Sequence, residues 1–73
     1  MAIRVINHAP SSQIASVEYD EDEMALIVAF QRGGVYRYLQ VPSDVANGFE
    51  SAPSAGKYLN EFVKEIYDYE RIG

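Results

Sequence analysis

Hydrophobic and polar positions alternate first between Gln13 and Tyr19. Ala15, Val17 and Tyr19 face one way, and Ile14, Ser16 and Glu18 the other. A period of two predicts a strand. The run Asp20-Glu21-Asp22-Glu23 interrupts the alternation. Such residues are poor strand formers and repel one another, so they predict a turn. Met24 to Gln31 then reads MALIVAFQ, nearly continuously apolar. Its short length and flanking turn signals predict a central strand covered on at least one face. Arg32-Gly33-Gly34 predicts a hairpin turn, because glycine reaches positive φ without strain. Val35 to Val41 alternates again, with Tyr36, Tyr38 and Gln40 on one face and Val35, Arg37, Leu39 and Val41 on the other.

Beyond Pro42 the period changes. Ser43 is placed to cap a short helix running to about Glu50, with Asp44 favourable in its first turn. Ser51 to Gly56 is a connector of small residues, within which Ser54 can cap a second helix. Leu59, Phe62, Val63 and Ile66 follow i, i+3, i+4, i+7 along that helix, flanked by Tyr58, Tyr67 and Tyr69. The fold class is therefore α+β: a three-stranded antiparallel β-meander followed by two helices packed on one sheet face. Residues 11–73 make up this single domain, and residues 1–10 form an N-terminal arm. In the arm, Ile3, Val5 and Ile6 can form a short strand before His8-Ala9-Pro10 breaks it. Such an arm either pairs with its own sheet edge or docks on a partner.

Composition narrows the classes. With 73 residues the chain is near the size where one core is only just sufficient, and a large enzyme cleft is excluded. Cysteine is absent, which removes disulfides, Cys-based zinc and thiol nucleophiles. No apolar run approaches a membrane span and no signal-peptide pattern opens the chain, so a soluble, cytoplasmic protein is expected. The net charge is -5, from 6 basic and 11 acidic side chains. Five of those acids are Glu18, Asp20, Glu21, Asp22 and Glu23; outside that window acids and bases balance. Duplex-binding domains show the opposite, a basic excess on one face.

Several segments together resemble one known family. They are Ser11-Ser12-Gln13-Ile14, Val17-Glu18-Tyr19-Asp20, Leu26-Ile27-Val28-Ala29-Phe30 and Gly34-Val35-Tyr36-Arg37-Tyr38. Val41-Pro42, Ala52-Pro53-Ser54-Ala55-Gly56-Lys57-Tyr58 and Asn60 complete the set. Over roughly residues 11 to 72 the chain resembles the KTSC domain, which occurs at the C-terminus of some lysyl-tRNA synthetases and as free-standing small proteins. Ala46 and Gly48 depart from the pattern, standing where bulkier residues are expected. The resemblance implies a compact α+β domain without enzymatic activity, and an RNA-binding role suggested by the synthetase association. A free-standing chain of this size also resembles small phage-encoded regulators of host RNA polymerase, which inhibit initiation and promote read-through of terminators.

Candidate chemistry is sparse. Tyr36 and Tyr38 share a strand face, where they either stack on single-stranded bases or pack beneath the second helix. Arg37 then points to the opposite face, where it can join Arg32 from the adjacent turn to meet phosphate or an acidic surface. The acidic window lacks the alternation, central glycine and closing glutamate of a calcium loop, and reads as a solvated turn. His8, Ser11, Ser12 and Asp20 contain the residue types of a hydrolase triad without its spacing. Gly33-Gly34 joins two strands and opens no helix, so it is no phosphate loop. Neither a catalytic centre nor a metal or cofactor is expected.

Two function classes remain. The first is an interaction protein, monomeric when free, that binds bacterial RNA polymerase by occlusion near the RNA exit channel. RNA contact would occur within that complex. Its contact residues would be Arg4, Ile6 and His8 in the arm, with Arg32 and Arg37. The alternative is an autonomous single-stranded RNA-binding module using Tyr36, Tyr38, Arg37 and Lys57.

Overall fold

Strand structure extends beyond the meander at both ends of the chain. A computed structural model describes residues 2–73. Its elements are β1 (Ile3–Ile6), β2 (Ile14–Asp20), β3 (Ala25–Phe30), β4 (Val35–Tyr38), α1 (Ser43–Ser51), α2 (Ala55–Phe62) and β5 (Tyr69–Arg71). The strands form one five-stranded antiparallel sheet in the order β1-β2-β3-β4-β5. The meander of β2, β3 and β4 is as expected, but three strands was too few. Of the two fates expected for the arm, residues 3 to 6 take the first and pair with the sheet edge at β2.

Direct pairing places residues of five strands in rows, and alternate rows face opposite sides. One row, Arg4–Tyr19–Leu26–Tyr38–Tyr69, faces the helices, as does Ile6–Val17–Val28–Tyr36–Arg71. Between them lies the row Val5–Glu18–Ile27–Arg37–Glu70, which faces away. The buried core joins Ile6, Val17, Leu26 and Val28 of the sheet to Ala46, Phe49, Leu59 and Val63 of the helical segment. Among the described residues, no helix covers the other sheet face.

A bulge between Ile14 and Ser16 corrects the reading of β2. Strict alternation puts Ile14 opposite Val17; the extra residue restores both to the core and leaves Ala15 exposed. The Arg32-Gly33-Gly34 turn is as expected, with φ of +100° at Gly33 and +95° at Gly34.

The second helix ends earlier than its apolar spacing predicts. Ser54 does cap it, its hydroxyl accepting from the Lys57 amide at 3.3 Å. After Phe62 the chain leaves the helix so that residues 69 to 71 can reach β4. Val63 stays buried through that turn, whereas Phe62 and Ile66 are exposed. The first helix has Pro42, not Ser43, at its N-cap, with no side-chain capping bond. Tyr58 supplies the bulk that Ala46 and Gly48 lack: its ring packs edge-on against Phe49 at 4.6 Å, and its hydroxyl donates to the Val45 carbonyl.

Candidate functional site

The β3–β4 turn and the outer face of α2 enclose a groove of about 660 Å³ on the helix side of the sheet. Its floor is aromatic: the Phe30 and Tyr36 rings meet edge-on at 5.5 Å. Tyr36 continues into Tyr69, 5.6 Å away and within 4° of parallel. Arg32 from the turn and Lys64 beyond α2 rise at its sides, with Gln13 and Asn60 as polar walls. A second recess of about 330 Å³ shares Ser12, Gln13 and Asn60 with the first and leads to Lys57. Among the described residues, no acidic side chain lines either recess.

Local structure builds these walls. The Ser11 hydroxyl accepts from the amides of Gln13 and Ile14 at 3.1 and 3.0 Å, turning the chain into β2. The Gln31 amide donates to the Gln13 carbonyl at 2.8 Å, which fixes that entry to the end of β3. Gly56 admits the Gln13 carboxamide, whose oxygen lies only 2.6 Å from where a Cβ would stand. Lys57, Asn60 and Lys64 follow at i, i+3 and i+7, so helical spacing and the turn after it put them on one side. Arg71 reaches in from β5, its guanidinium 5.9 Å from the Tyr36 ring centroid, with Nε donating to the Gly73 carbonyl.

The residues expected to contact a partner do not assemble into one surface. Arg4 lies at the acidic end of the sheet, bonded to Glu21 at 3.3 Å and to the Asn47 side chain at 2.6 Å, and over the Tyr19 ring. Ile6 is 1% exposed and belongs to the core, so pairing of the arm removes it from any partner's reach. His8 is half-buried, with Nδ1 2.7 Å from the Ala9 carbonyl. Arg32 lines the groove, but Arg37 is on the opposite face, paired with Glu70 at 2.6 Å; the two do not meet. Of the alternative set, Tyr36 is in the groove and Lys57 in the adjoining recess, while Tyr38 is 1% exposed and cannot stack on a base.

Other constellations stay apart. The Asp20 carboxylate is buried and accepts from the Asp22 and Glu23 amides, making a side-chain-closed turn. His8, Ser11 and Asp20 are each bonded locally and form no triad. Among the described residues, no three His, Cys, Asp or Glu side chains gather as metal ligands, and no helix is long and apolar enough to cross a membrane. Burial raises the Tyr38 and Tyr58 phenols above their ordinary range, and burial together with the nearby Glu21 carboxylate raises Tyr19. The Tyr19 hydroxyl donates to the Val41 carbonyl at 2.6 Å.

The uncovered sheet face is the other notable surface. On edge strand β1, Val5 is 67% exposed and Ile3 44%. Across it run Glu18, Ile27, Arg37 and Glu70.

The family model of the KTSC domain matches residues 10–67. The chain belongs to the KTSC domain family. The crystal structure of a KTSC domain protein from Yersinia pestis superposes with a TM-score of 0.88 at 33% identity, covering 99% of this chain and 100% of that one. An uncharacterized protein of Stutzerimonas stutzeri is 38% identical over 63 residues, 85% of this chain and 89% of the relative. A lysine–tRNA ligase of Nostoc punctiforme is 33% identical over 61 residues, 84% of this chain, which spans only 11% of the ligase. Segments that carry the KTSC resemblance converge on the groove: Ser12-Gln13, Phe30, Tyr36, Gly56-Lys57 and Asn60 all line it or its adjoining recess.

Proposed function

We propose that this KTSC domain is a non-enzymatic interaction protein that docks on bacterial RNA polymerase. There it acts by occlusion near the RNA exit channel, inhibiting initiation and promoting antitermination. The observation that carries the docking is the uncovered sheet face, where Ile3 and Val5 stand exposed on an edge strand. An apolar surface left in water at a sheet edge marks a contact site for another chain. Arg37 and Glu70 on that face form a solvent-accessible pair, which exchanges for a partner's charges at little cost. The choice of polymerase follows the resemblance to small regulators of that enzyme. Relatives in which a similar domain forms 11% of a lysine–tRNA ligase agree with a module that works attached to a larger RNA-handling protein.

Capture from bacterial lysate by the tagged protein tests the docking. Polymerase subunits are expected to co-purify, and Val5→Lys, a change at an exposed position, to lose them while the fold survives. Failure to recover any polymerase subunit at low salt sinks the reading. The basic groove favours direct binding of single-stranded RNA as a second reading.

A further inference from the structure

Four of the six cationic side chains, Arg32, Lys57, Lys64 and Arg71, stand in or beside the aromatic groove. The acidic turn lies at the other end of β3. A protein of net charge -5 thus carries one local basic site. Its floor is not fully buried: Tyr36 is half-buried, and Tyr69, stacked on it beside the groove, is 57% exposed. Tyr36 packs against the core and Tyr69 against Tyr38 at 5.6 Å, yet both rings stay partly exposed, with Arg71 over Tyr36. Flat aromatic surface beside a line of positive charge is what unpaired bases and their phosphates require. Gln13 and Asn60 add carboxamides, which donate to and accept from base edges.

We infer that this groove binds a single-stranded oligonucleotide, with a base stacked on the Tyr36–Tyr69 surface and phosphates held by Arg32 and Lys64. The inference deepens the second reading above and does not depend on the docking face, which lies on the opposite side of the sheet. A duplex is not accommodated in this way, because its base faces are already stacked. Arg71 holds the Tyr36 ring in place through its contact over the ring and its bond to the Gly73 carbonyl.

The test is fluorescence anisotropy of the full chain with labelled octauridylate, octathymidylate and an RNA duplex of equal length, with polyglutamate as competitor. Single strands are expected to bind at ~100 μM protein in low salt. With two phosphates neutralised, by Arg32 and Lys64, log K should fall with log salt at a slope of about −1.4. Preference for uridylate over thymidylate assigns the natural ligand as RNA, and the reverse as DNA; either supports the site. Tyr69→Ala, at an exposed position, is expected to weaken binding roughly 5- to 100-fold through lost stacking. Arg32→Ser should weaken binding and flatten the slope by about 0.7. Arg37→Ser, on the far face, should change neither. Absence of binding, equal binding of duplex, full competition by polyglutamate, or equal effects of Arg37→Ser and Arg32→Ser would each overturn the inference. Polymerase capture without oligonucleotide binding overturns this inference alone; oligonucleotide binding without capture overturns the docking alone.

Discussion

At Gly48 two effects oppose each other. Replacing glycine by alanine inside a helix ordinarily stabilises it by about 1 kcal/mol. Gly48 lies in α1, and a Cβ built there collides with the hydroxyl and ring of Tyr58. The ring cannot withdraw freely: it sits between Phe49 at 4.6 Å and Phe62 at 4.8 Å, and its hydroxyl donates to the Val45 carbonyl at 2.7 Å. Displacing it forfeits a hydrogen bond of about 1 kcal/mol and an aromatic contact of similar size. Residual strain from overpacking adds roughly 1 kcal/mol or more. The costs exceed the gain, so Gly48→Ala should destabilise by about 2 kcal/mol. In a domain of this size that lowers the melting temperature by roughly 10 °C.

The sign should reverse when Tyr58 is shortened. In a Tyr58→Leu background the obstacle is gone, and Gly48→Ala should stabilise by up to about 1 kcal/mol. Urea unfolding of the four proteins closes a double-mutant cycle with a coupling of about 3 kcal/mol. A stabilising Gly48→Ala in both backgrounds would refute the reasoning, because helix propensity would then have outweighed the contact.

Neighbouring residues of β1 should differ sharply: Ile6→Ala should cost about 2–5 kcal/mol in urea unfolding, and exposed Val5→Ala no more than about 0.5. Equal, small effects would show that the arm is not part of the folded unit. Gly33→Ala, at φ +100°, should cost about 1–2 kcal/mol by the same measurement, and a neutral outcome would rule out the left-handed turn. Burial raises Tyr19 and Tyr38 above the unfolded value near 10, so the folded state holds these protons more tightly. The stability this provides is complete below about pH 10 and is lost as pH rises through the folded values. Phenolate absorbance and circular dichroism should therefore change together for these two groups, and their ionisation at ordinary pH with the fold intact would contradict their burial.

The meander was legible because its information is local. Alternation at Val17, Glu18 and Tyr19, the apolar run to Phe30 and the paired glycines each act within a few residues, whereas the bulge at Ile14 lay outside that pattern. The short strand Tyr69–Arg71 carries no such signal: all three residues are exposed, two are charged, and their pairing is decided by distant β4. The apolar spacing of Leu59, Phe62, Val63 and Ile66 was helical, yet only Leu59 and Val63 are buried, since the need to reach β4 ends the helix. Within the site, Tyr36 and Lys57 were named for RNA and the opposite facing of Arg37 from alternation, whereas Arg32 was expected beside Arg37 and stands in the groove instead. Gln13, Asn60, Lys64, Tyr69 and Arg71 were missed. The i, i+3, i+7 spacing of Lys57, Asn60 and Lys64 was the available signal. Sheet topology supplied the remainder, by bringing chain start, hairpin and last strand together.

The separation of charge bears on how a net-acidic chain tolerates a polyanion. Strand β3 has 6 residues, so the acidic turn and the Arg32 turn lie roughly 20 Å apart. At physiological ionic strength the screening length is about 8 Å, and over twice that distance the acids contribute little potential at the groove. Near 0.01 M salt the length grows to about 30 Å, and the whole molecule's negative charge is then felt there. Attraction by the groove and repulsion by the turn thus strengthen together as salt is lowered. The affinity of the groove for an oligonucleotide should rise less steeply at the lowest salt than counterion release alone requires. Neutralising Glu21 and Glu23 to glutamine should restore the steeper dependence there and leave affinity at physiological salt nearly unchanged. An equal gain at both salt concentrations would mean that the turn lies within direct reach of the ligand, and would contradict the placement of the two turns at opposite ends of β3.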